Sequence, residues 1–216
     1  VNADNEIIRL GDEIVPDPEL DTKKAELQQL IDETTALVES AGIVTEFPEE
    51  VVTLSTSNVY CNATIAEGTL GNLFKNDNSF IHTQWSGTSA DNDYHYLRVD
   101  MGESASIGEF YFTYTTANRS YQDMPKTIVV EGANYIDNNN STKDDFTVIA
   151  TLTSDVLPQD LRKNSDFVSS RLGSTSTPYR YLRFRVTEIG RGVDTGDVKD
   201  DNGYPFFTLA KFGLTK

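Results

Sequence analysis

Two neighbouring segments, Leu73-Phe-Lys-Asn-Asp-Asn-Ser-Phe-Ile-His-Thr-Gln-Trp85 and His95-Tyr-Leu-Arg-Val-Asp-Met-Gly102, decide the fold. The second segment alternates, with Leu97, Val99 and Met101 on one face, and this pattern predicts a strand that is buried on one side. The first segment combines apolar residues, a tight polar turn, a histidine and the only tryptophan. We therefore predict that residues 73–85 form the rim of a binding site and that residues 95–102 form the strand beneath it.

Strand-like segments continue outward from this pair through the rest of the chain. They cover residues 51–54, 107–114, 126–131, 146–152, 180–188 and 206–214. The connections between them, such as 134–145 and 190–203, are rich in Asn, Asp, Gly and Ser, and such a series predicts an antiparallel sandwich or barrel. Residues 194–203 contain four aspartates without the regular order of a calcium-binding loop, so we interpret them as a solvated loop.

The N-terminal part has a different character. Asp17-Pro18 is a typical helix start, because Asp can cap free amides and Pro fits the first turn. Apolar residues then recur at helical spacing, and Gly42 is placed to end the helix. The apolar positions are Leu20, Leu27, Leu30, Ile31, Leu37 and Val38. We predict an amphipathic helix over about 18–41 within an acidic segment 1–46, followed by a β domain over 47–216. The helix would serve as a spacer or docking element, with its stripe on a neighbouring domain or on another helix.

Charge and composition exclude several classes of function. The net charge is −16; residues 1–50 carry 14 acids and 3 bases (−11), and residues 51–216 carry 20 acids and 15 bases (−5). Acidic surfaces repel phosphate backbones and anionic lipids, so we expect neither nucleic acid nor membrane insertion. Cys61 is the only cysteine, which excludes an intrachain disulfide and suits a small apolar strand residue. The chain starts at Val1 without a signal peptide, and we interpret it as part of a longer protein.

The sequence contains no catalytic motif that we can identify. It has no Gly-x-Ser-x-Gly nucleophile elbow, no Gly-rich phosphate loop and no His/Cys metal spacing. A Ser-His-Asp or Cys-His site is conceivable around His82 or His95, but His95 lies in phase with Leu97 and Val99, which favours a structural role. We predict that the chain is not an enzyme.

An ordered set of motifs resembles a known family. The motifs are His82-Thr-Gln-Trp85, Tyr94-His-Tyr-Leu-Arg-Val-Asp-Met-Gly102, Tyr114-x-x-x-Asn-Arg119, Pro125-Lys-Thr-Ile-Val-Val-Glu-Gly132, Tyr179-Arg-Tyr-Leu-Arg-Phe184 and the final segment 206–214. In this order they resemble the coagulation-factor type C or discoidin domain, a galactose-binding-like fold. The most similar branch is the family 32 carbohydrate-binding modules of bacterial glycan-degrading enzymes. Over residues 50–214 the resemblance implies an eight-stranded antiparallel jelly-roll β-sandwich with ligand loops at one end, and the N-terminal helix looks like the spacer helices found beside such modules.

The resemblance also implies a set of sugar-binding residues. Sugars stack on an aromatic face while planar polar groups meet their hydroxyls. The candidates are His82, Trp85, Arg119, Asp123 and Tyr204, with Gln122 in the same loop as Asp123. Each has an alternative role: His82 can be a buried histidine satisfied by the backbone, Trp85 a core residue, and Arg119 a member of an ordinary surface ion pair. Tyr204 would add a second aromatic wall.

Many members of this family hold a structural calcium in the turn before the His-Thr motif. They use an acid in that turn and a glutamate on the last strand, and calcium requires several such oxygen ligands. At the matching positions this chain has Lys75 and Lys211, while Asp77 and Ser79 remain nearby. We therefore expect no metal and no other cofactor, with an ammonium group bonding to the carbonyls instead.

Two functions are consistent with the sequence. The first is a non-catalytic carbohydrate-binding module that attaches a larger secreted or surface protein of a bacterium to a glycan, with galactose-type sugars as the implied ligands. The second is a structural or protein-interaction domain of the same fold whose sugar site does not work. Under either one, the chain would act with other domains of a parent protein outside the cell or at its surface.

Overall fold

The structure is a computed structural model that describes residues 18–40, 50–103, 105–119, 121–136, 146–153, 163–190 and 199–216. Within the helix, side chains are described for residues 22–34. The chain divides into two compact units, Val1–Phe47 and Pro48–Lys216. The domain boundary that we predicted between residues 46 and 47 stays a prediction, because it falls outside the described ranges.

The N-terminal unit contains helix α1, Pro18–Ser40, as the apolar spacing predicted. Leu27, Leu30 and Ile31 form an exposed apolar stripe on it. Its polar side is stabilised by bonds between neighbouring turns, such as the 2.8 Å bond from Gln28 Nε2 to Asp32 Oδ1. No helix in the described part of the chain is long and apolar enough to cross a membrane. The predicted helix end at Gly42 lies outside the described residues.

The second unit contains twelve described strands and two short 3-10 helices. The strands are β1 Val59–Cys61, β2 Ile65–Glu67, β3 Ile81–Thr83, β4 Tyr96–Asp100, β5 Glu109–Thr115, β6 Pro125–Ala133, β7 Thr147–Leu152, β8 Asp166–Val168, β9 Leu172–Gly173, β10 Tyr181–Ile189, β11 Thr208–Leu209 and β12 Lys211–Thr215. The 3-10 helices are η1 Leu70–Phe74 and η2 Tyr121–Asp123. The fold is thus mainly β, as predicted, whereas the prediction of eight strands in jelly-roll order is not confirmed.

The strands form three antiparallel sheets. The large sheet has the order β1-β4-β10-β6-β7, and a second sheet has the order β12-β5-β8, with β9 also pairing with β5. A small sheet, which we call the rim sheet, has the order β11-β3-β2. The segment predicted as one final strand over 206–214 is divided at Ala210, because β11 pairs with β3 while β12 pairs with β5.

The hydrophobic core lies between the large sheet and the second sheet, which makes this unit a β-sandwich. Alternation along β4 buries Leu97 and Val99 in this core. The two sheets meet through aromatic rings: Phe112 of β5 lies 4.7 Å from Phe184 of β10, and Phe184 lies 5.1 Å from Phe212 of β12, between ring centroids. Aromatic contacts of this kind stabilise a core beyond their buried area.

The outer face of the large sheet carries a buried ionic cluster. Arg183 of β10 is fully buried, and its guanidinium lies 4.0 Å from the ring centroid of Phe146. Glu131 of β6 accepts bonds from Arg183 Nε at 2.7 Å and from Arg185 Nη2 at 2.9 Å. Asp93 is a second buried carboxylate that pairs with both arginines, at 3.9 Å from Arg183 and 3.5 Å from Arg185, so two carboxylates and two guanidinium groups balance one another.

The prediction of a strand over 51–54 is wrong. In this segment only Val51 pairs, in an isolated bridge with Thr215. The extended run ends at a polar turn, because Asn58 donates from Nδ2 to Thr53 O at 3.0 Å and accepts from Ser55 N at 2.8 Å. Side chains of this type compete with strand pairing by bonding to nearby backbone.

Candidate functional site

The candidate site is built on β3, the central strand of the rim sheet. His82 of β3 is only 3% exposed, whereas Trp85, just beyond the strand, is 46% exposed. The two rings meet edge to face, with centroids 5.1 Å apart and planes at 89°. The imidazole also contacts the ring of Phe206, with ring centroids 5.5 Å apart. The buried imidazole of His82 thus packs against the exposed indole of Trp85.

Asp123 approaches the same imidazole from η2. Its Oδ2 atom lies 3.6 Å from His82 Nε2, while His82 Nδ1 lies 2.6 Å from the carbonyl oxygen of Thr83. Asp123 is also anchored through its backbone, because the hydroxyl of Thr208 donates to its carbonyl oxygen at 3.3 Å. Thr208 and His82 are directly opposite in the β11–β3 pair. The fold therefore brings together a carboxylate and an imidazole that lie far apart in sequence.

Arg119 reaches the rim sheet through an ion pair with Glu67 of β2. The distances are 3.1 Å from Nη1 to Oε2 and 3.2 Å from Nη2 to Oε1, and the guanidinium lies 5.4 Å from the ring centroid of Phe80. Glu67 is directly opposite His82 in the β2–β3 pair. The Arg119–Glu67 ion pair is therefore attached to the strand that neighbours His82, at a point where the register of the pair is irregular.

Tyr204 lies on the loop that precedes β11. Its ring is 4.9 Å from that of Tyr94, between centroids. The same loop contacts the Trp85 segment, because Asp201 accepts a 2.7 Å bond from Gly87 N and donates from its own backbone N to Gly87 O at 3.2 Å. Tyr204 therefore belongs to a loop that is attached to the Trp85 segment, while its described ring contact is with Tyr94.

Three of the five predicted residues thus meet directly, namely His82, Trp85 and Asp123. Arg119 joins them through Glu67, and Tyr204 flanks them. Sequence reasoning missed Glu67 and Phe206, which complete the site. Phe206 lay within a predicted strand, so its position next to the His-Thr motif was open to inference from strand pairing. Glu67 lies in a strand of three residues with an irregular register, which leaves no alternation to detect.

A second histidine–aspartate pair lies beside the first and is sealed. His95 Nε2 is 3.0 Å from Asp200 Oδ2, and His95 Nδ1 is 2.9 Å from Thr83 Oγ1. The series resembles a carboxylate–imidazole–hydroxyl triad. However, Thr83 and His95 are buried, and the Thr83 hydroxyl oxygen accepts the backbone N–H of Phe207 at 2.8 Å. The arrangement therefore has a structural role, as we predicted for His95.

The burial of this second pair corrects one prediction. Asp200 belongs to the aspartate-rich segment that we interpreted as a solvated loop, yet its residue is buried and its carboxylate bonds to His95. Desolvation lowers the pKa of His95 below its ordinary value, although the Asp200 carboxylate acts in the opposite direction. Residues 194–198 of the same segment lie outside the described part.

Two lysines replace the expected calcium ligands at the turn between η1 and β3: Lys75 lies in the turn, and Lys211 reaches it from the start of β12. Lys75 Nζ donates to Asn72 Oδ1 at 2.8 Å, and Lys211 Nζ donates to Asn76 Oδ1 at 3.4 Å. Hydrogen bonds from Ser79 lower the pKa of Asp77, and the two ammonium groups act in the same direction. Within the described residues, no group of three or more His, Cys, Asp and Glu side chains is arranged to hold a metal ion.

Comparison with known proteins gives structural similarity only. No family model and no curated protein matches the chain. The module CBM32-3 of a family 31 glycoside hydrolase from Clostridium perfringens is similar over 77% of this chain and 95% of its own, with 14% identity and a TM-score of 0.49. A CBM62 module from Clostridium thermocellum is similar over 76% and 94%, with 18% identity and a TM-score of 0.46.

A further similar structure is a family 32 module from Clostridium perfringens in complex with galactose. The similarity covers 76% of this chain and 97% of that module, with 15% identity and a TM-score of 0.43. Two of the three structures belong to family 32, the class that the sequence motifs resemble. At such identities the similarity concerns the fold and assigns no ligand to this chain.

Proposed function

We propose that the β-sandwich unit is a non-catalytic carbohydrate-binding module that attaches a larger protein to a glycan. The observation that carries this proposal is the half-exposed indole of Trp85, which packs edge to face against the covered imidazole of His82, next to Asp123. The Arg119–Glu67 ion pair lies on the neighbouring strand. A flat, rigid aromatic surface next to planar polar groups suits a pyranose, whose apolar face stacks while its hydroxyls accept and donate hydrogen bonds.

The proposed roles follow from these contacts. Trp85 is the stacking platform, and His82 fixes the tilt of the indole from beneath. The Arg119–Glu67 pair supplies donors and acceptors at the edge, since both groups are about one third exposed. Asp123 orients the imidazole, and Tyr204 contributes at the flank. Because Arg119 and Glu67 offset each other's charge, the site suits a neutral sugar better than an anionic one. Galactose-type sugars are the first ligands to test, since the sequence resemblance implies them.

We further propose that the turn between η1 and β3 does not use calcium. In place of the carboxylate ligands that a dication requires, two ammonium groups, from Lys75 and Lys211, bond to Asn72 and Asn76. Protein melted with calcium or with chelator is expected to give the same midpoint. The double variant Lys75→Asp with Lys211→Glu is the matched comparison and is expected to gain a calcium-dependent rise. A rise with calcium in the natural sequence would contradict the proposal.

The partners in this proposal are a glycan and the other domains of a parent protein, outside the cell or at its surface. Nucleic acid and membrane insertion are excluded from it because of the acidic net charge of −16. The acidic helix α1, with its exposed apolar stripe, is proposed as the spacer between this unit and a neighbouring domain.

The test is binding to a glycan array and to affinity gels that contain galactose polymers. Affinities of such modules fall in the range of ~1 mM to 1 μM, so the protein must be concentrated. The double variant His82→Ala with Arg119→Ala is expected to lose binding while the sandwich still melts cooperatively. Arg171→Ala is the matched control, because Arg171 also pairs with a glutamate, at 3.5 Å, and lies over a tyrosine ring, at 5.7 Å, but on the second sheet.

The second candidate is a structural or protein-interaction domain without a working sugar site. It is favoured by one observation, that the Arg119 guanidinium is already engaged by Glu67 while His82 is almost fully covered. The same assays separate the two functions. If the natural sequence binds no glycan at millimolar concentration, or if the double variant binds as well as the natural sequence, the carbohydrate proposal fails and the second candidate stands.

A further inference from the structure

The loop that precedes β11 is shaped by one buried carboxylate. Asp200 has a side chain with no exposed surface, and its Oδ1 atom accepts the backbone N–H groups of Asn202 and Tyr204, each at 2.9 Å. The backbone closes the same turn, because Asp200 N donates to Tyr204 O at 2.7 Å. The conformation of residues 200–204 is thus fixed around the Asp200 carboxylate.

The Asp200 carboxylate is connected to the strands by a chain of hydrogen bonds through His95. An ionised carboxylate only accepts, so His95 Nε2 carries the proton that Asp200 Oδ2 receives at 3.0 Å. His95 Nδ1 then accepts from the Thr83 hydroxyl at 2.9 Å, and the hydroxyl oxygen accepts Phe207 N–H at 2.8 Å. The imidazole therefore joins β3, the start of β4 and both ends of the 200–207 segment.

Two parts of the candidate site depend on this segment. Asp201 makes two hydrogen bonds to Gly87, two residues beyond Trp85. Phe206 is the ring that packs against His82, at 5.5 Å. A displacement of the Asp200 turn would therefore move both Gly87, next to Trp85, and Phe206, which packs against His82.

We infer that His95 is a positioning residue for the candidate site: its bond to Asp200 holds the 200–207 loop, and through that loop it sets the placement of Trp85 and Phe206. His95 is itself 1% exposed, so it acts without touching a ligand. The structural part of this inference concerns the order of the Trp85 segment and is independent of any ligand. Its consequence for glycan affinity rests on the proposed function.

Two substitutions of His95 test whether its hydrogen bond to Asp200, and not only its burial, places the loop. In His95→Gln the amide nitrogen occupies about the place of Nε2 and can still donate to Asp200. In His95→Asn the amide group lies about where Nδ1 lies, so the bond to Thr83 can persist while the bond to Asp200 is lost. Because Trp85 is the only tryptophan, its fluorescence reports directly on the site.

The measurements are acrylamide quenching of Trp85, the unfolding midpoint and affinity for the best glycan. His95→Asn is expected to raise the quenching constant of Trp85 and to weaken glycan binding, because the loop that places the indole loses its hydrogen bond to His95. His95→Gln is expected to restore both values towards those of the natural sequence. Equal quenching in the natural sequence and in both variants would overturn the inference.

A further variant keeps the test decisive if His95→Asn does not fold. Asp201→Ala removes only the side-chain bond to Gly87 from an exposed residue and leaves the buried chain intact. It is expected to increase quenching of Trp85 at an unchanged unfolding midpoint, and unchanged quenching would overturn the link between loop and indole. If no glycan binds any variant, the proposed function fails while the fluorescence results still decide the positioning role.

Discussion

Replacing Trp85 by alanine tests the stacking role of the indole most directly. Trp85 is 46% exposed, and its edge contact with His82 uses only part of the ring. Truncation therefore removes a surface that a ligand would cover, while the hydrophobic core of the sandwich is left intact. The variant is expected to fold and to bind glycan more weakly.

The size of the effect follows from the exposed area. An indole side chain presents about 250 Å² in the unfolded chain, so a residue that is 46% exposed leaves about 115 Å² in contact with water. A sugar stacked on one face covers about half of that, or about 60 Å². At about 25 cal/mol per Å² the lost contribution is about 1.5 kcal/mol, which corresponds to a roughly tenfold weaker dissociation constant.

The assay is isothermal titration of the concentrated protein with the best ligand from the glycan array. Tyr135→Ala is the matched control, because Tyr135 is 70% exposed but follows the far end of β6. Asp123 precedes the near end of this nine-residue strand, so the control lies roughly 26 Å further along the sandwich. This variant is expected to bind as the natural sequence does.

Three outcomes would refute the reasoning. Unchanged affinity in Trp85→Ala would mean that the indole covers no ligand, and its exposure would then have no role in sugar binding. An equal loss in Tyr135→Ala would mean that binding reflects general surface stickiness. A loss far above a hundredfold would also contradict the area argument, because about 60 Å² of contact cannot supply the corresponding free energy of about 3 kcal/mol.

Three further predictions concern stability. Gly132→Ala places a Cβ inside van der Waals contact with the ring of Tyr179, so urea unfolding should show a loss of about 1–3 kcal/mol. Gly71→Ala, whose nearest contact would be 3.7 Å, should change the unfolding midpoint little, and equal midpoints of the two variants would contradict this. Glu131→Gln removes the carboxylate that bonds to the buried Arg183 and the half-buried Arg185, leaving only the longer pairs with Asp93, and should cost about 3 kcal/mol in the same assay. Burial lowers the pKa of His95 in the folded state, so neutral His95 stabilises the fold fully above about pH 6.5, and this stabilisation is lost as the pH falls through the folded-state pKa. Melting midpoints between pH 7.5 and 5 should therefore fall more steeply in the natural sequence than in His95→Gln. Parallel curves would exclude the titration of His95 as the cause.

Hydrophobic alternation predicted most of the fold because long strands bury one face. β4 and β10 appear within one or two residues of the predicted bounds, since Leu97, Val99 and Phe184 must all face the same core. Very short strands carry no comparable signal. β8 and β9 have three and two residues, too few to show an alternating pattern, and both pair with β5.

Alternation also gave no indication of what lies on the outer face of a sheet. Arg183 lies on the face of β10 turned away from the core, where water is the usual surrounding. Phe146 nevertheless covers its guanidinium at 4.0 Å, and Glu131 supplies the counter-charge. The burial of Arg183 follows from contacts between β10, β6 and the residue before β7, which the sequence of β10 alone does not show.

The contact between His82 and Trp85 could be predicted because both residues belong to one short motif. His82 and Trp85 are three residues apart, so their meeting required only that the segment fold as one unit. The burial of Asp200 was not predictable in this way, because composition marks an aspartate-rich loop as solvated. Its partner His95 lies 105 positions earlier, and a buried carboxylate is tolerated only when such a partner is present.

Two histidine–aspartate pairs contact one small sheet, and they differ in their exposure to a possible ligand surface. The sealed pair, His95–Asp200, fixes a loop from within, and the pair beside it, His82–Asp123, lies under an exposed indole. Both pairs contact β3, so the position of the rim is set before any ligand arrives. A rim that is already ordered does not lose loop entropy on binding, and weak stacking and hydrogen bonds can then suffice for measurable affinity. Under the proposed function, a rim ordered in this way needs no further folding to present Trp85 to a sugar.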